Sequence, residues 1–235
     1  MIRTRRDAEI NEKEGGWFHA RWHFSFDDYM DPEWMQFGSL RVFNDDRLVP
    51  GVAWPMHPHR DIEGITYVVE GSFQHADSLR GEEYPVLPAG SVQRMTLGSG
   101  SWHSEQNASD TEPMRFIQLW ILPRERGLEP SIEQKVFTKE DRTGKLLKVV
   151  SGDDGEAVLL HQDAGVYVSY LPAGAAVSHK FADQTGGYLY VIGGEVGLIG
   201  ERLSTGDAAK IWEEPEVTLD ASADSDLIMV EVRLD

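Results

Sequence analysis

One stretch of this chain occurs twice. Around residue 67 it reads Tyr67-Val68-Val69-Glu70-Gly71-Ser72-Phe73, and 123 residues later it reads Tyr190-Val191-Ile192-Gly193-Gly194-Glu195-Val196. The same offset carries Gly51, in Pro50-Gly51, onto Gly174, in Ala173-Gly174. Further on, Leu87-Pro88-Ala89-Gly90 is echoed by Leu203-Ser204-Thr205-Gly206 at an offset of 116. A chain of 235 residues that repeats at half its length reads as one domain used twice, each copy within the usual ~100–150 residues. The break is expected where Pro123-Arg124-Glu125-Arg126-Gly127-Leu128-Glu129-Pro130 sets charges between prolines, giving domains 1–126 and 127–235.

The repeated unit is a β-domain. Helical periodicity is scarce. Short runs rich in Val, Ile, Tyr and Phe dominate, at Ile65 to Val69, Phe116 to Leu122, Val166 to Leu171, Tyr188 to Ile192 and Leu227 to Leu234. Asn44-Asp45-Asp46, Glu70-Gly71, Arg80-Gly81 and Gly193-Gly194 read as turns between them. Short strands with regular turns predict an all-β barrel or sandwich. Glu133 to Leu147 fits a short helix or a strand equally well. Trp17 to Phe26 is crowded with aromatics and is expected to pack over an open barrel edge.

Charge and composition remove several function classes. Asp plus Glu number 40 against 22 Lys plus Arg, a formal net charge of -18. Such a surface repels phosphate backbones and anionic lipid, so direct binding to nucleic acid or membrane is not expected. There is no cysteine, so disulfides and thiolate ligands are excluded and a metal must be held by nitrogen and oxygen. The basic start, Met1 to Arg6, runs into polar Asp7 to Gly16, without the apolar core of a signal peptide. The expected address is the cytoplasm.

Two short patterns carry chemistry. His57-Pro58-His59 puts imidazoles at i and i+2, which share one face of a strand with Cα atoms ~6–7 Å apart. His103-Ser104-Glu105 repeats that spacing downstream of Pro88-Ala89-Gly90. Two such elements side by side make a four-ligand site of three imidazoles and one carboxylate. That set suits iron, manganese, nickel, copper or zinc and leaves positions for water, oxygen or substrate. Glu63 shares the parity of His57 and His59 but lies four residues past His59, ~13 Å along a straight strand, and is expected at a second layer or the core edge. His19, His23 and His75 have no partner at ligand spacing; pocket lining and structural roles are both open to them, with a structural role favoured.

The second copy offers a control. At the offset of 123, His57 and His59 fall on Lys180 and Ala182, and His179 aligns with Met56. At the offset of 116, His103 and Glu105 fall on Leu219 and Ala221. The second copy is therefore expected to lack the site, with His161 and His179 in surface or packing roles.

Gly51, then His57-Pro58-His59, Glu63 and Gly71, resembles the first cupin motif; Pro88-Ala89-Gly90 followed by His103-Ser104-Glu105-Gln106-Asn107 resembles the second. With Thr66-Tyr67-Val68-Val69-Glu70-Gly71 and Leu40-Arg41-Val42-Phe43-Asn44-Asp45-Asp46, the whole chain is similar to the pirin family, more strongly up to Leu122 than beyond it. Within that family it most resembles short bacterial pirin-like proteins with quercetin 2,3-dioxygenase activity. The resemblance implies an all-β bicupin of two jelly-roll barrels. It implies one metal-binding N-terminal cupin, with His57, His59, His103 and Glu105 as ligands, and a C-terminal cupin without them. It further implies one divalent transition metal, Fe(II) favoured, with Cu, Ni, Mn, Co or Zn also compatible. The substrates implied are a flavonol-like small molecule and dioxygen, with Glu105 as a catalytic base. A non-enzymatic regulatory pirin acting through a protein partner, or another small-molecule cupin chemistry, is the alternative. A monomer is expected, because the chain pairs its own two cupins. Gly64 departs from the Thr common in the family and bears only on local packing.

Overall fold

The computed structural model describes residues 1–79, 84–153 and 155–234. The Arg80-Gly81 turn expected from the sequence lies outside them. The chain is all-β. Helical structure among the described residues is confined to three 3-10 turns, Asp7–Glu9, Pro32–Trp34 and Glu140–Arg142. No helix among them is long and apolar enough to cross a membrane.

Two sandwiches lie along the chain, each with one seven-stranded and one four-stranded sheet. The large N-terminal sheet runs Ser131–Val136, Ser91–Thr96, Glu63–Glu70, Met114–Ile121, Leu40–Leu48, Phe18–Trp22, Asn11–Glu14. Its C-terminal counterpart runs Ile2–Arg5, Ala208–Ile211, Thr185–Gly193, Ser225–Arg233, Ala164–Leu171, Leu147–Ser151, Val158–Leu159. The small sheets are Ala53–His59, Ser101–Asn107, Ser72–Asp77, Leu87–Pro88 and, in the same order, Ala176–Lys180, Glu216–Ala221, Glu195–Leu198, Glu201–Ser204. Both halves share one strand order, and they differ at the outer strand, where Asn11–Glu14 pairs antiparallel and Val158–Leu159 parallel.

The repeat read from the sequence is visible in the backbone. Gly71 and Gly194 follow equivalent strands with φ of 84° and 93°. A Cβ at either would meet backbone, Pro113 O at 2.6 Å or Asp224 O at 2.3 Å, so both need glycine. Gly90 donates to Val68 O and Gly206 to Val191 O, each at 2.8 Å. The halves also exchange strands. Ile2–Arg5 pairs with Ala208–Ile211 in the second large sheet, and Ser131–Val136 pairs with Ser91–Thr96 in the first. Each strand thus covers the sheet edge of the half across the 126/127 division, where unpaired N–H and C=O groups would otherwise be exposed.

Three apolar layers hold the sheets. Leu48, Val68, Phe73, Leu87, Met114 and Phe116 join large to small sheet in the first half. Leu171, Leu189, Val196, Leu198, Leu219 and Met229 do so in the second. Between halves the large sheets pack face to face through Phe43, Ile65, Tyr67, Ile117 and Leu119 against Val168, Tyr188, Tyr190, Ile228 and Val230.

The structure corrects one local reading and completes two others. Asn44-Asp45-Asp46 is not a turn but the middle of strand Leu40–Leu48, with all three side chains buried. Asp45 accepts from Arg115 at 2.9 and 2.6 Å and from the Tyr190 hydroxyl at 2.6 Å, which compensates a carboxylate between the large sheets. Glu133 to Leu147 resolves into the exchanged strand Ser131–Val136 and a 3-10 turn. Trp17 to Phe26 keeps its aromatics at the open side of the first half, where Trp17 and Phe18 pack on Trp54 of strand Ala53–His59. It supplies strand Phe18–Trp22, between Leu40–Leu48 and Asn11–Glu14.

Candidate metal centre

The first half keeps a cavity of about 580 Å³ between its sheets, within the range of small-molecule pockets. Strand alternation decides what lines it. From the large sheet come Val42, Asn44 and Asp46 and, facing them on the next strand, Phe116, Gln118 and Trp120. Phe18, Trp22, Phe26 and Trp54 add aromatic walls. The small sheet contributes His57, His59 and Glu105.

Strand Ala53–His59 is the edge of the small sheet, which lets it carry Pro55 and Pro58 without loss of ladder bonds. It pairs with Ser101–Asn107 so that His103 faces His57 and Ser101 faces His59. The ring centres of His57, His59 and His103 stand 4.5, 4.8 and 5.2 Å apart. Their candidate donor nitrogens lie within 4.8 Å of one another. Ligands ~2.1 Å from one ion lie within ~4.2 Å of each other, so closure needs side-chain shifts of a few tenths of an ångström.

The protonation states suit a cation. His57 Nδ1 donates to Pro55 O at 2.7 Å, which leaves Nε2 with a free lone pair. Burial, reinforced by His103 and His57, pushes His59 down to about 4. Burial, with His57 and His75, pushes His103 down to about 3. Both are neutral imidazoles at pH 7. His103 is 3% exposed, and neither of its ring nitrogens has a hydrogen-bond partner among the described residues. Such an orphaned pair is costly in a protein interior unless a cation takes one nitrogen. The donor set therefore fits a first-row divalent ion. Glu105 sits beside the three histidines, its Oε1 3.5 Å from His103 Nδ1. It accepts from Gln118 Nε2 at 3.2 Å, and Thr66 in turn donates to Gln118 Oε1 at 2.7 Å. Burial raises the Glu105 carboxyl above its ordinary value, against the pull of His57, His75 and His59.

The other singled-out residues lie elsewhere. After His59 the chain reverses, with Asp61 at φ 54°, so Glu63 opens a strand of the large sheet. There it accepts from Thr96 Oγ1 at 3.1 Å and lies 3.3 Å from His161 Nδ1, across the junction between halves. His161 is thus an interdomain partner as well as a half-exposed residue. His75 is buried 5.6 Å from His103, but both its nitrogens are engaged, with Gln93 and Asp77 at 3.1 Å each. His23 is fully buried against the Tyr188 hydroxyl at 2.8 Å, and burial pushes it down to about 3. His19 lies near Glu12 and Glu14.

A model of the pirin family, described as Pirin, matches residues 3–121, and one described as quercetinase C-terminal cupin domain matches residues 148–232. The chain belongs to the pirin family. A pirin-like protein of Caulobacter vibrioides is 39% identical over 98% of this chain and 99% of its own. A protein of Escherichia coli named quercetin 2,3-dioxygenase is 38% identical, over 99% of each chain. The crystal structure of the bacterial pirin YhhW from Escherichia coli, in complex with nickel(II), superposes with a TM-score of 0.93 at 35% identity over the full length of both.

As a pirin, the chain has its second cupin as an internal control, and strand pairing corrects the alignment made from sequence. Glu105 faces His75 in the first half, and Leu219 faces Leu198, 123 residues on, in the second. The counterparts of His103 and Glu105 are therefore Val217 and Leu219, two residues earlier than the offset of 116 placed them. A β-bulge in the pairing between Glu105 and His103 gives Ala53–His59 one extra residue. Past it, the counterpart of His57 is His179, opposite Val217, and not Lys180. His179 points inward, to Glu231 at 2.9 Å. Asn44 and Asp46 read as a turn because three polar residues stand in a row, although they share the parity of Leu40 and Val42. Gln118, inside the apolar run Phe116 to Leu122, carries no such signal.

Proposed function

We propose that this protein is a metal-dependent dioxygenase of the quercetin 2,3-dioxygenase type, cleaving flavonol-like substrates with dioxygen. The observation that carries this reading is the convergence of His57, His59 and His103 beside an aromatic-lined cavity of about 580 Å³. The names of its relatives point the same way.

In this reading His57, His59 and His103 hold one divalent transition metal, with Glu105 available as fourth ligand or as base. Iron(II) is the favoured ion, and the nickel(II) complex of the Escherichia coli pirin supports a first-row metal of that size. A bound ion supplies Lewis acidity toward a substrate hydroxyl and affinity for dioxygen. The chain's own residues do the rest. The rings of Trp22, Phe26, Trp54, Phe116 and Trp120 clamp a flat substrate and exclude water. A Glu105 carboxylate oxygen, oriented by Gln118, takes the proton of the substrate hydroxyl. Burial makes it a stronger base than an exposed carboxylate.

The test is oxygen uptake by purified protein loaded in turn with iron(II), copper, nickel and manganese, with quercetin as substrate. Uptake matched to loss of flavonol is expected with at least one metal. No uptake with any of them would sink the dioxygenase reading.

A further inference from the structure

Two buried groups in the cavity are unused by the chemistry above. Asn44 and Asp46 lie on the cavity face of Leu40–Leu48 and are 3% and 6% exposed. Asn44 Oδ1 and Asp46 Oδ1 are both buried without a hydrogen-bond partner among the described residues. An interior acceptor without a donor destabilises the fold, so a pair of them on residues that line one cavity points to a ligand that brings donors. Their neighbours on that wall are satisfied. Thr66 bonds Gln118, Gln118 bonds Glu105, and Asp45, on the opposite face, holds Arg115 and Tyr190.

The register fixes where the pair lies. Gln118 faces Asn44 across the strands, and Phe116 faces Asp46. Adjacent strands are ~4.8 Å apart and same-face neighbours ~6–7 Å apart. From the metal group the wall thus runs Glu105, Gln118, Asn44, with Asp46 one pleat further. A planar ligand that meets the histidines at one end and lies between the aromatic walls brings its far ring over Asn44 and Asp46.

We propose that Asn44 and Asp46 are specificity-determining residues, whose side-chain oxygens accept hydrogen bonds from phenolic hydroxyls on the part of the substrate remote from the metal. This rests on the flavonol reading and deepens it: the site selects polyhydroxylated over unsubstituted aromatic ligands. A bare ring would leave both acceptors desolvated and unpaired, and polar sites reject analogues that lack the matching hydroxyl on this ground.

Metal-loaded protein, kept anaerobic, is titrated with quercetin and with 3-hydroxyflavone, following the quenching of tryptophan fluorescence. 3-Hydroxyflavone keeps the metal-facing hydroxyl and carbonyl and lacks the hydroxyls on both outer rings. Quercetin is expected to bind at least about tenfold more tightly. In Asn44→Leu and Asp46→Leu that ratio falls toward one, while affinity for 3-hydroxyflavone and metal content hold. Asp46→Asn, which keeps a carbonyl oxygen, keeps the ratio. Where a leucine variant loses its metal, the ratio is read from Asn44→Ala or Asp46→Ala, since each ratio is taken within one protein. Equal affinities in the wild type, or a preference that survives in both leucine variants, overturn the inference and leave the dioxygenase reading standing. If neither flavonol binds the wild type, that reading falls and the inference with it.

Discussion

His57 stands opposite His103 in the small sheet of the first half, and His179 stands opposite Val217 in that of the second. The strand pairing around them is the same apart from the bulge before His57. What differs is the set of inward side chains. Around His57 are His59, His103 and Glu105. Their counterparts around His179 are Phe181, Val217 and Leu219. On the facing sheet, Thr66, Gln118 and Asn44 meet in one row, and the matching row is Leu189, Met229 and Tyr167. Those three, with Leu198 and Leu219, belong to one packed cluster. The second half thus fills with apolar contacts the space the first keeps open. The fold permits either outcome, and function follows the inward residues rather than the barrel. The first half retains a cavity and orphaned polar atoms, both of which reduce stability, as functional sites commonly do.

The sharpest way to break this contrast is to remove one histidine from each half. His103→Ala is expected to lower metal affinity by about a hundredfold or more, read as metal content after dialysis. His179→Ala is expected to leave metal content unchanged. Equal metal loss from both variants, or retention by both, would show that the first half is not where the metal sits. A second variant converts one half toward the other. Asn44→Tyr places in the first cavity the residue found at the matching point of the second. It is expected to reduce kcat/KM for quercetin by about a hundredfold with metal content intact, because the ring occupies substrate space. Unchanged kcat/KM would mean that the substrate does not use this wall.

Much of this was legible in the sequence because strands have period two. That period put His57 with His59 and His103 with Glu105 on common faces, and it made the repeat at Tyr67 and Tyr190 a fold-level statement. The places where the reading slipped are places where the period is interrupted or its sign hidden. One bulge residue between Trp54 and His57 moved His179 into register with His57, and no pattern in the sequence announces a bulge. Asp45 looked like turn chemistry because its partners, Arg115 and Tyr190, are 70 and 145 residues away. Glu63 does lie off the histidine group and in the core, as its distance from His59 suggested, but the reversal at Asp61 that sends it to another sheet was not legible. The strand exchange was hidden for the same reason, since pairing partners across the 126/127 division leave no local mark.

The smallest expected effect concerns the polar group around His179 in the second half. Glu231 Oε2 accepts from His179 Nε2 at 2.9 Å and from the Tyr167 hydroxyl at 3.3 Å. Its Oε1 accepts from the Ala182 amide at 2.9 Å and from Thr185 Oγ1 at 2.6 Å. Burial alone would raise this carboxyl, but the bonds from His179, Thr185 and Ala182 outweigh it and hold it at about 2, against an ordinary value of 4.5. A folded-state value below the unfolded one means that the folded chain binds its proton later. The stability it confers is then fully present above pH 4.5 and is lost as pH falls from there through about 2. Glu231→Gln removes the charge and keeps one acceptor oxygen. At pH 7 it is expected to cost about 1–2 kcal/mol in urea unfolding, a figure held down by water at the edge of the site. Below pH 4.5 the wild type and the variant should converge. A constant gap between them down to pH 2 would show that Glu231 contributes shape rather than charge, and that the second half owes its rigidity to apolar filling alone.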